Sequence, residues 1–447
     1  MLRQLSISSF RFFLAGKGLS FQTGKNFGLA LLVGAFAGLV VVAFRFLIDL
    51  GFAWIFDPAV ALNRRWVFVV LPPLGALVGY LLIRRFDSLE HARGTDSAIL
   101  AYHRRCGYVP PAVLPVKSVA SVLTIASGGS AGYEGPVTLL GAACGSLVAS
   151  WFGLPARARR ILMTAGISAG IAALFQAPLA GAIFGFEVLY SSSDVEYECL
   201  LPCFTAATVA YTVFACIFGW GTLFLMPTGI VYENGLRLLP YFVLALAVTF
   251  GARFYIRFFT TAERTFAALP VPGWARVVLG GLATGVLGLL VPEVLGTSYA
   301  VIQRTLSGGS LALGALVLLF FAKVVATSFT VGSGGSGGVF APALVCGGTL
   351  GAAVGTAFAH LLPASFGIQP AAFALVGMAG FLASSIRTPM AAIVMVAEIS
   401  GNHGLLVPAM WVCGIAFWLN NGWSLYRSQP HSRESSPARF VAPLRTN

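Results

Sequence analysis

The sequence predicts an all-α membrane protein that crosses the bilayer many times and is built from two repeated halves. Three observations predict it. Apolar runs long enough to span a bilayer recur along the chain. Two glycine- and proline-rich breaks interrupt those runs at matching places. One break carries a lone acid, Glu134, where lipid ordinarily forbids a charge.

The apolar runs set the class. Of 447 residues, 57% are hydrophobic and only 10% charged, and the mean hydropathy is +0.86. Runs at 27–48, 66–83, 238–250 and beyond, and 311–326 are each continuous rather than alternating. That pattern predicts spanning helices and argues against a β-barrel. The net charge of +13 sits mostly in short loops and tails. Four basic residues and no acid precede Phe27, and four arginines with one glutamate follow Leu425. The positive-inside rule then places both termini in the cytoplasm of a multi-pass plasma-membrane (inner-membrane) protein. No basic face stands apart from the membrane runs, so nucleic-acid binding is not expected.

Residues 1–26 read as a basic, aromatic segment lying along the inner membrane surface, with a frayed tail as the alternative. The division predicted from there is a first membrane repeat at 27–218, a polar linker at 219–235, a second repeat at 236–421, and a C-terminal helix and cytoplasmic tail at 422–447. Arg45 and Asp49 are four apart on the first long helix and predict an internal ion pair. Lys117 lies in an apolar run, as an interior structural cation or as a charge that sets the potential near the functional break.

The first break, residues 128–136, reads G-G-S-A-G-Y-E-G-P. Glycines let the backbone turn and come close to a ligand, and proline suits the first turn of a helix. An intramembrane acid costs at least ~2.5–3.5 kcal/mol on insertion scales, which makes Glu134 a functional residue by default. A helix opening there aims free N–H groups and a positive dipole end at one spot, which suits an anion. Glu134 is itself an anion at that spot. The second break, residues 332–342, reads G-S-G-G-S-G-G-V-F-A-P. Further on, A-P-L-A-G-A-I-F-G-F-E at 177–187 has its partner in T-P-M-A-A-I-V-M-V-A-E at 388–398, and each copy ends on a glutamate. The copies are offset by 206 to 211 residues. Repeated halves with broken helices point to a transporter or channel with its site where the halves meet.

Other chemistries find no support. Gly332, Gly334 and Gly337 fit a dinucleotide-type glycine pattern, but an apolar span precedes them where a strand is needed. No phosphate-loop, zinc-protease or serine-hydrolase motif occurs, so the chain is not expected to be an enzyme. The seven cysteines include no C-x-x-C, and the five histidines are scattered. They predict neither a disulfide framework nor a metal site, and no cofactor is expected.

These motifs resemble those of the CLC family of chloride channels and chloride/proton antiporters. G-Y-E-G-P at 132–136 is similar to the family's G-[RK]-E-G-P, and G-V-F-A-P at 338–342 to its G-I-F-A-P. A-P-L-A-G at 177, S-I-R-T-P at 385 and S-L-Y at 424–426 also match, in the family's order. The resemblance implies two inverted-topology repeats of broken, tilted helices, a homodimer with one ion path per subunit, and chloride as substrate. It implies that Glu134 gates, competing with chloride and swinging away when protonated. Backbone around Gly132, Tyr133 and Gly135 and at Val339, Phe340 and Ala341 would bind the anion, and Tyr426 would add its hydroxyl. Taken alone, Phe340 also reads as core packing and Tyr426 as an interfacial aromatic.

Three departures from the family pattern matter. A-R-G-T-D at 92–96 replaces G-S-G-I-P, which puts Arg93 where a serine hydroxyl is expected to meet the anion. Tyr133 replaces a basic residue before the gating glutamate. F-G-F-E-V at 184–188 keeps the first acid of the antiporters' inner pair, Glu187, and puts Val188 at the proton-transfer position. Valine carries no proton, so channel-like or weakly proton-coupled chloride transport is expected. The alternatives are an antiporter that uses another inner acid, from among Glu187, Glu196 and Glu198, or a member selective for another anion such as fluoride, nitrate or bromide. Glu187 and Glu398 also read as structural groups at helix ends, and Asp194, Glu196 and Glu198 as a solvated loop. With 21 residues after Tyr426, the chain is expected to be a prokaryote-like member without nucleotide-binding CBS modules.

Overall fold

The computed structural model describes residues 19–58, 66–86, 94–225, 235, 238–307, 309, 311–363 and 366–440. Arg93 and most of the 219–235 segment lie outside them, as does residue range 1–18 of the predicted N-terminal segment.

Sixteen α-helices carry the described chain, eight in each half. The first half runs α1 (Leu19–Gly51), α2 (Val67–Phe86), α3 (Thr95–Arg104), α4 (Val113–Ala126), α5 (Glu134–Trp151), α6 (Ala156–Phe175), α7 (Pro178–Glu187) and α8 (Leu200–Phe218). The second runs α9 (Leu238–Ala268), α10 (Gly273–Leu290), α11 (Tyr299–Leu306), α12 (Leu313–Gly332), α13 (Phe340–Leu361), α14 (Pro370–Ser385), α15 (Pro389–Ser400) and α16 (Leu406–Leu419). The halves match helix for helix, and each keeps its short member, α3 or α11, in third place. Eight helical segments are long and apolar enough to cross a membrane. Leu39, Phe46, Leu74, Phe250 and Leu282 project outward from them, as a chain solvated by lipid requires.

The predicted breaks fall where helices start. Pro136 lies in the first turn of α5 and Pro342 in the first turn of α13. Pro178 and Pro389 open α7 and α15, where a missing N–H costs nothing. Inside each half, small residues let neighbouring helices touch. A Cβ on Gly141 of α5 would lie 2.1 Å from the Gly166 carbonyl of α6. The corresponding Gly347 of α13 would place one 2.5 Å from the Gly377 carbonyl of α14. Only glycine permits backbones to approach so closely, and without water between helices that contact is a main source of association.

The halves are inverted, and paired acids tie them together. Glu187, at the end of α7, accepts N–H bonds from Met390 (2.9 Å) and Ala391 (2.8 Å) at the start of α15. Glu398 returns the contact, accepting from Leu179 (3.1 Å) and Ala180 (2.8 Å) at the start of α7. Each helix carries in its last turn the acid that caps the start of the other, so the two run antiparallel. This is the helix-end role expected of both glutamates.

The segment after α16 packs back over one face. Ser191 and Ser192 N–H groups bond the carbonyls of Pro430 (3.1 Å) and His431 (2.9 Å). Gln429 donates to the Val188 carbonyl (2.8 Å). His103, near the end of α3, bonds Ser436 Oγ (2.7 Å) and the Leu189 carbonyl (2.9 Å). Burial pushes its imidazole down to about 4, so it is neutral at pH 7 and its Nε2–H donates to Leu189. Buried Arg387 bonds the carbonyls of Ser191 (2.8 Å) and Phe417 (2.5 Å), locking the turn between α14 and α15 to the same face.

Three sequence expectations need correction. The helix expected in 422–447 is absent among the described residues there, which hold turns and a 3-10 turn at Pro437–Phe440. Arg45 and Asp49 do pair (2.9 Å), but their side chains are 38% and 47% exposed, so the pair is not internal. The first-helix stripe that carries them faces outward. Glu196 is not a solvated loop acid: it is buried, takes the Tyr190 hydroxyl at 2.5 Å and pairs with Arg433 at 3.2 Å. The returning C-terminal segment covers it, which local sequence does not announce.

If the crossed carboxylates hold the halves, removing one should loosen the whole membrane domain. Glu187→Ala is expected to cost about 1–2 kcal/mol, a helix-cap loss, seen as a lower melting temperature in detergent. Glu398→Ala, on a less buried acid, should cost less. An unchanged melting temperature for Glu187→Ala would remove the capping role.

Candidate functional site

The two breaks meet through their backbones. Gly132 N–H donates to the Gly338 carbonyl and Gly338 N–H to the Gly132 carbonyl, each at 2.9 Å, as an isolated antiparallel bridge. The residues lie 206 positions apart, the offset of the repeat. Glycine is required at this junction: a Cβ on Gly135 would sit 2.6 Å from Gly338 Cα, and one on Gly132 would lie 2.1 Å from Glu134 Oε2. The bridge corrects one expectation. The Gly132 amide is spent on Gly338, so Gly132 shapes the junction and does not donate to an anion.

Side chains repeat the symmetry around the bridge. Lys117 Nζ donates to Ser336 Oγ in the opposite break (2.9 Å), and Ser336 also bonds Ser121 (2.9 Å). Ser130 of the first break bonds Thr327 (3.0 Å). Thr330 takes the Ser130 N–H (3.1 Å) and bonds Thr284 (2.9 Å). Lys117 is thus buried in the junction, with its ammonium on the opposite break. Lys323, 206 positions after it, was not picked out from the sequence although the repeat offset points straight to it. It is 1% exposed and donates to the carbonyls of Val294 (3.1 Å) and Gly296 (2.7 Å).

Glu134 is fully buried at the start of α5. Its Oε2 accepts the Ala341 N–H from the first turn of α13 (3.1 Å), and its Oε1 accepts the Tyr299 hydroxyl from α11. The carboxylate of one broken helix therefore lies at the electropositive tip of the other. Phe340, 1% exposed, packs its ring on Phe175 (5.3 Å) and Phe184 (5.6 Å). The ring is core, which leaves its main chain on the first turn beside Ala341. Tyr133 packs edge-on against Tyr299, with centroids 6.5 Å apart.

On another side of the junction a cavity of about 480 Å³ is lined by Thr95, Gly135, Gly338, Val339 and Tyr426, with Asp96, Glu263, Arg276 and Arg427 also on its walls. The hydroxyls of Thr95 and Tyr426 are neighbours there. Both are buried, and among the described residues no group other than the opposite hydroxyl is placed to satisfy either. Buried hydroxyls are almost always satisfied, so this pair is poised for a ligand that accepts hydrogen bonds. Gly94 makes the approach possible: its φ is +60°, and a Cβ there would press to 2.6 Å on the Gly135 backbone. Arg93, the residue expected to meet the anion, lies outside the described residues, and the hydroxyl that lines the cavity here belongs to Thr95, one residue after Gly94. Asp96 accepts the Ser428 N–H (2.8 Å), and Arg427 pairs with Glu263 (2.8 Å).

The sequence-predicted residues thus divide. Glu134, Tyr133, Gly135, Val339, Phe340, Ala341 and Tyr426 gather at the junction. Val188 is buried in the apolar core and carries no proton. Glu187 is engaged on α15, and Glu198 pairs with Arg157 (2.9 Å), both apart from the cavity's lining residues. Among the described residues no group of His, Cys, Asp and Glu is arranged to hold a metal.

A family model described as voltage gated chloride channel matches residues 74–421. Over 395 residues the chain is 31% identical to a ClcB-like protein of Ralstonia nicotianae named for a chloride channel, covering 86% of this chain and 91% of that one. It is also 31% identical over 405 residues to an H(+)/Cl(-) exchange transporter ClcA of Yersinia pestis, covering 86% and 82%. Among solved structures, a CLC-type fluoride/proton antiporter superposes with a TM-score of 0.81 at 24% identity, covering 93% of this chain and all of the other. A slow cyanobacterial Cl-/H+ antiporter superposes with a TM-score of 0.80 at 23% identity, covering 90% and 96%. At those identities the superpositions speak for the fold alone. The family match, the relatives and the inverted repeat agree: this chain is a multi-pass membrane protein of the CLC family, whose members are transporters and channels and not enzymes.

Proposed function

We propose that this protein moves chloride across the membrane and that Glu134 is its gate. One observation carries the reading: the buried Glu134 carboxylate takes the Ala341 amide at the tip of the opposed helix, in the place an anion would hold. Chloride competes for that amide. A protonated carboxyl is a poorer acceptor and yields the place. Behind the gate, Thr95 and Tyr426 hydroxyls and the first-turn amides of α5 and α13 replace part of the ion's hydration shell. Successive ions then pass by mutual displacement, so that none is trapped. The basic termini support a cytoplasmic position for both ends.

Transport is channel-like or weakly proton-coupled, because Val188 stands where a proton carrier is needed. Proton/chloride exchange is the second reading, and one observation favours it: Asp96 and Glu263 line the cavity that holds Tyr426. Either acid could load a proton where Val188 cannot. The 24% identical fluoride antiporter gives no warrant for fluoride here; reversal potentials in mixed salts rank the anions.

We infer a homodimer from the apolar side chains left exposed on α7, α8, α15 and α16, among them Leu179, Leu201, Met390, Val407, Met410 and Trp418. Light scattering in detergent should give twice the 46.9 kDa of one chain. A single-chain mass would remove the dimer.

Two flux measurements test the rest. In liposomes, Glu134→Gln is expected to keep chloride flux and lose its pH dependence; a full pH dependence in that variant would end the gating role. With chloride and protons followed together, a chloride gradient is expected to drive little or no uphill proton movement. Robust uphill movement that Asp96→Asn or Glu263→Gln abolishes would establish the exchanger reading.

A further inference from the structure

We propose that Tyr299 is a latch on the gate, its hydroxyl holding the Glu134 carboxylate in the closed position by the oxygen that Ala341 does not take. The proposal rests on the reading of Glu134 as gate and adds a residue that neither the repeat motifs nor the family pattern singled out.

The geometry is specific. The Tyr299 hydroxyl donates to Oε1 while the Ala341 amide donates to Oε2, so both carboxylate oxygens are engaged. Tyr299 is half-buried and is not among the residues lining the Thr95–Tyr426 cavity. It therefore reaches the gate by a separate approach. Its ring is shelved between Tyr133 (6.5 Å, edge-on) and Phe224 (5.7 Å, edge-on). Tyr133, at the place of the family's basic residue, thus supports the latch with an aromatic face instead of bringing a second charge.

The repeat gives a reason for this placement. Tyr299 is the first residue of α11, and Thr95 is the first residue of its counterpart α3. Each follows a residue with positive φ, Ser298 at 65° and Gly94 at 60°. Inverted symmetry thus sets two hydroxyls at equivalent helix starts. In the first half the hydroxyl faces the ion cavity, and in the second it grips the gate.

The segment before α11 is built to hold Tyr299 still. Serine in the left-handed region is strained, and such outliers persist only where surroundings fix them. Here Ser298 Oγ bonds the Glu293 carbonyl (2.6 Å), Lys323 Nζ holds the carbonyls of Val294 and Gly296 (3.1 and 2.7 Å), and Gly296 N–H reaches the Gly128 carbonyl (3.4 Å). The titratable groups around Glu134 are Tyr133 beside it, Tyr299 from α11, Lys323 from α12 and Tyr426 from the segment after α16. Tyr299 is the one that hydrogen-bonds the carboxylate.

Tyr299→Phe keeps the ring and its two aromatic neighbours and deletes only the donor. A hydroxyl stabilises the charged carboxylate in its closed place, so its loss lets protons open the gate earlier. The acid-activation midpoint of chloride flux is expected to rise by about one pH unit, equivalent to ~1.4 kcal/mol. In a Glu134→Gln background the same substitution should change neither flux nor its pH profile. Should the variant not transport, chloride titration in detergent decides: with the carboxylate a weaker competitor, chloride should bind several-fold more tightly at neutral pH. An unmoved midpoint, an unchanged affinity in a silent variant, or an equal shift in the Glu134→Gln background would overturn the latch. The gate reading would survive those results as long as Glu134→Gln alone still lost its pH dependence.

Discussion

Two reciprocal amide bonds between Gly132 and Gly338 are the constraint on which this molecule turns. Each belongs to a helix break inside the membrane, where an unpaired backbone group costs several kcal/mol. By pairing with each other, the breaks satisfy themselves and bring α5 and α13 together tip to tip. The remaining first-turn amides are left pointing at a shared place. That place stabilises negative charge, and the chain fills it with its own carboxylate. A hydrophobic protein thereby keeps a polar site without dissolving its core.

The surrounding polar atoms make the junction tolerable in a low-dielectric setting. Lys117, Ser121 and Ser336 form one linked group, and Ser130, Thr327 and Thr330 cluster on the other side of the bridge. Half-satisfied networks are costly when buried, and these are satisfied largely across the repeat interface. The Thr95 and Tyr426 hydroxyls break this pattern by having, among the described residues, no partner but each other. They open onto the cavity.

Much of this was legible in the sequence because the repeat is written twice. The breaks, the prolines that open α5, α7, α13 and α15, and the helix-end glutamates follow from local chemistry read at matching positions. Lys323 is legible in the same way, through its offset of 206 positions from Lys117. Other features were not local. Tyr299 touches Glu134 from 165 residues away, and nothing in T-S-Y-A signals that contact. Nothing in A-R-G-T-D marks Thr95 as a neighbour of Tyr426, which lies more than three hundred residues downstream. Glu196 looked solvated because the segment that covers it lies more than two hundred residues downstream. Arg45 and Asp49 paired as their spacing demands, but spacing says nothing about which face of a helix meets protein.

The central claim is that the Glu134 carboxylate stands in for the permeant ion at the meeting point of two broken helices. It is tested most directly by anomalous diffraction from Glu134→Gln crystals grown in bromide. The account predicts a bromide peak within hydrogen-bonding distance of the Ala341 amide, in the place vacated by the carboxylate. A side chain still seated on that amide, with halide bound only elsewhere, would contradict it.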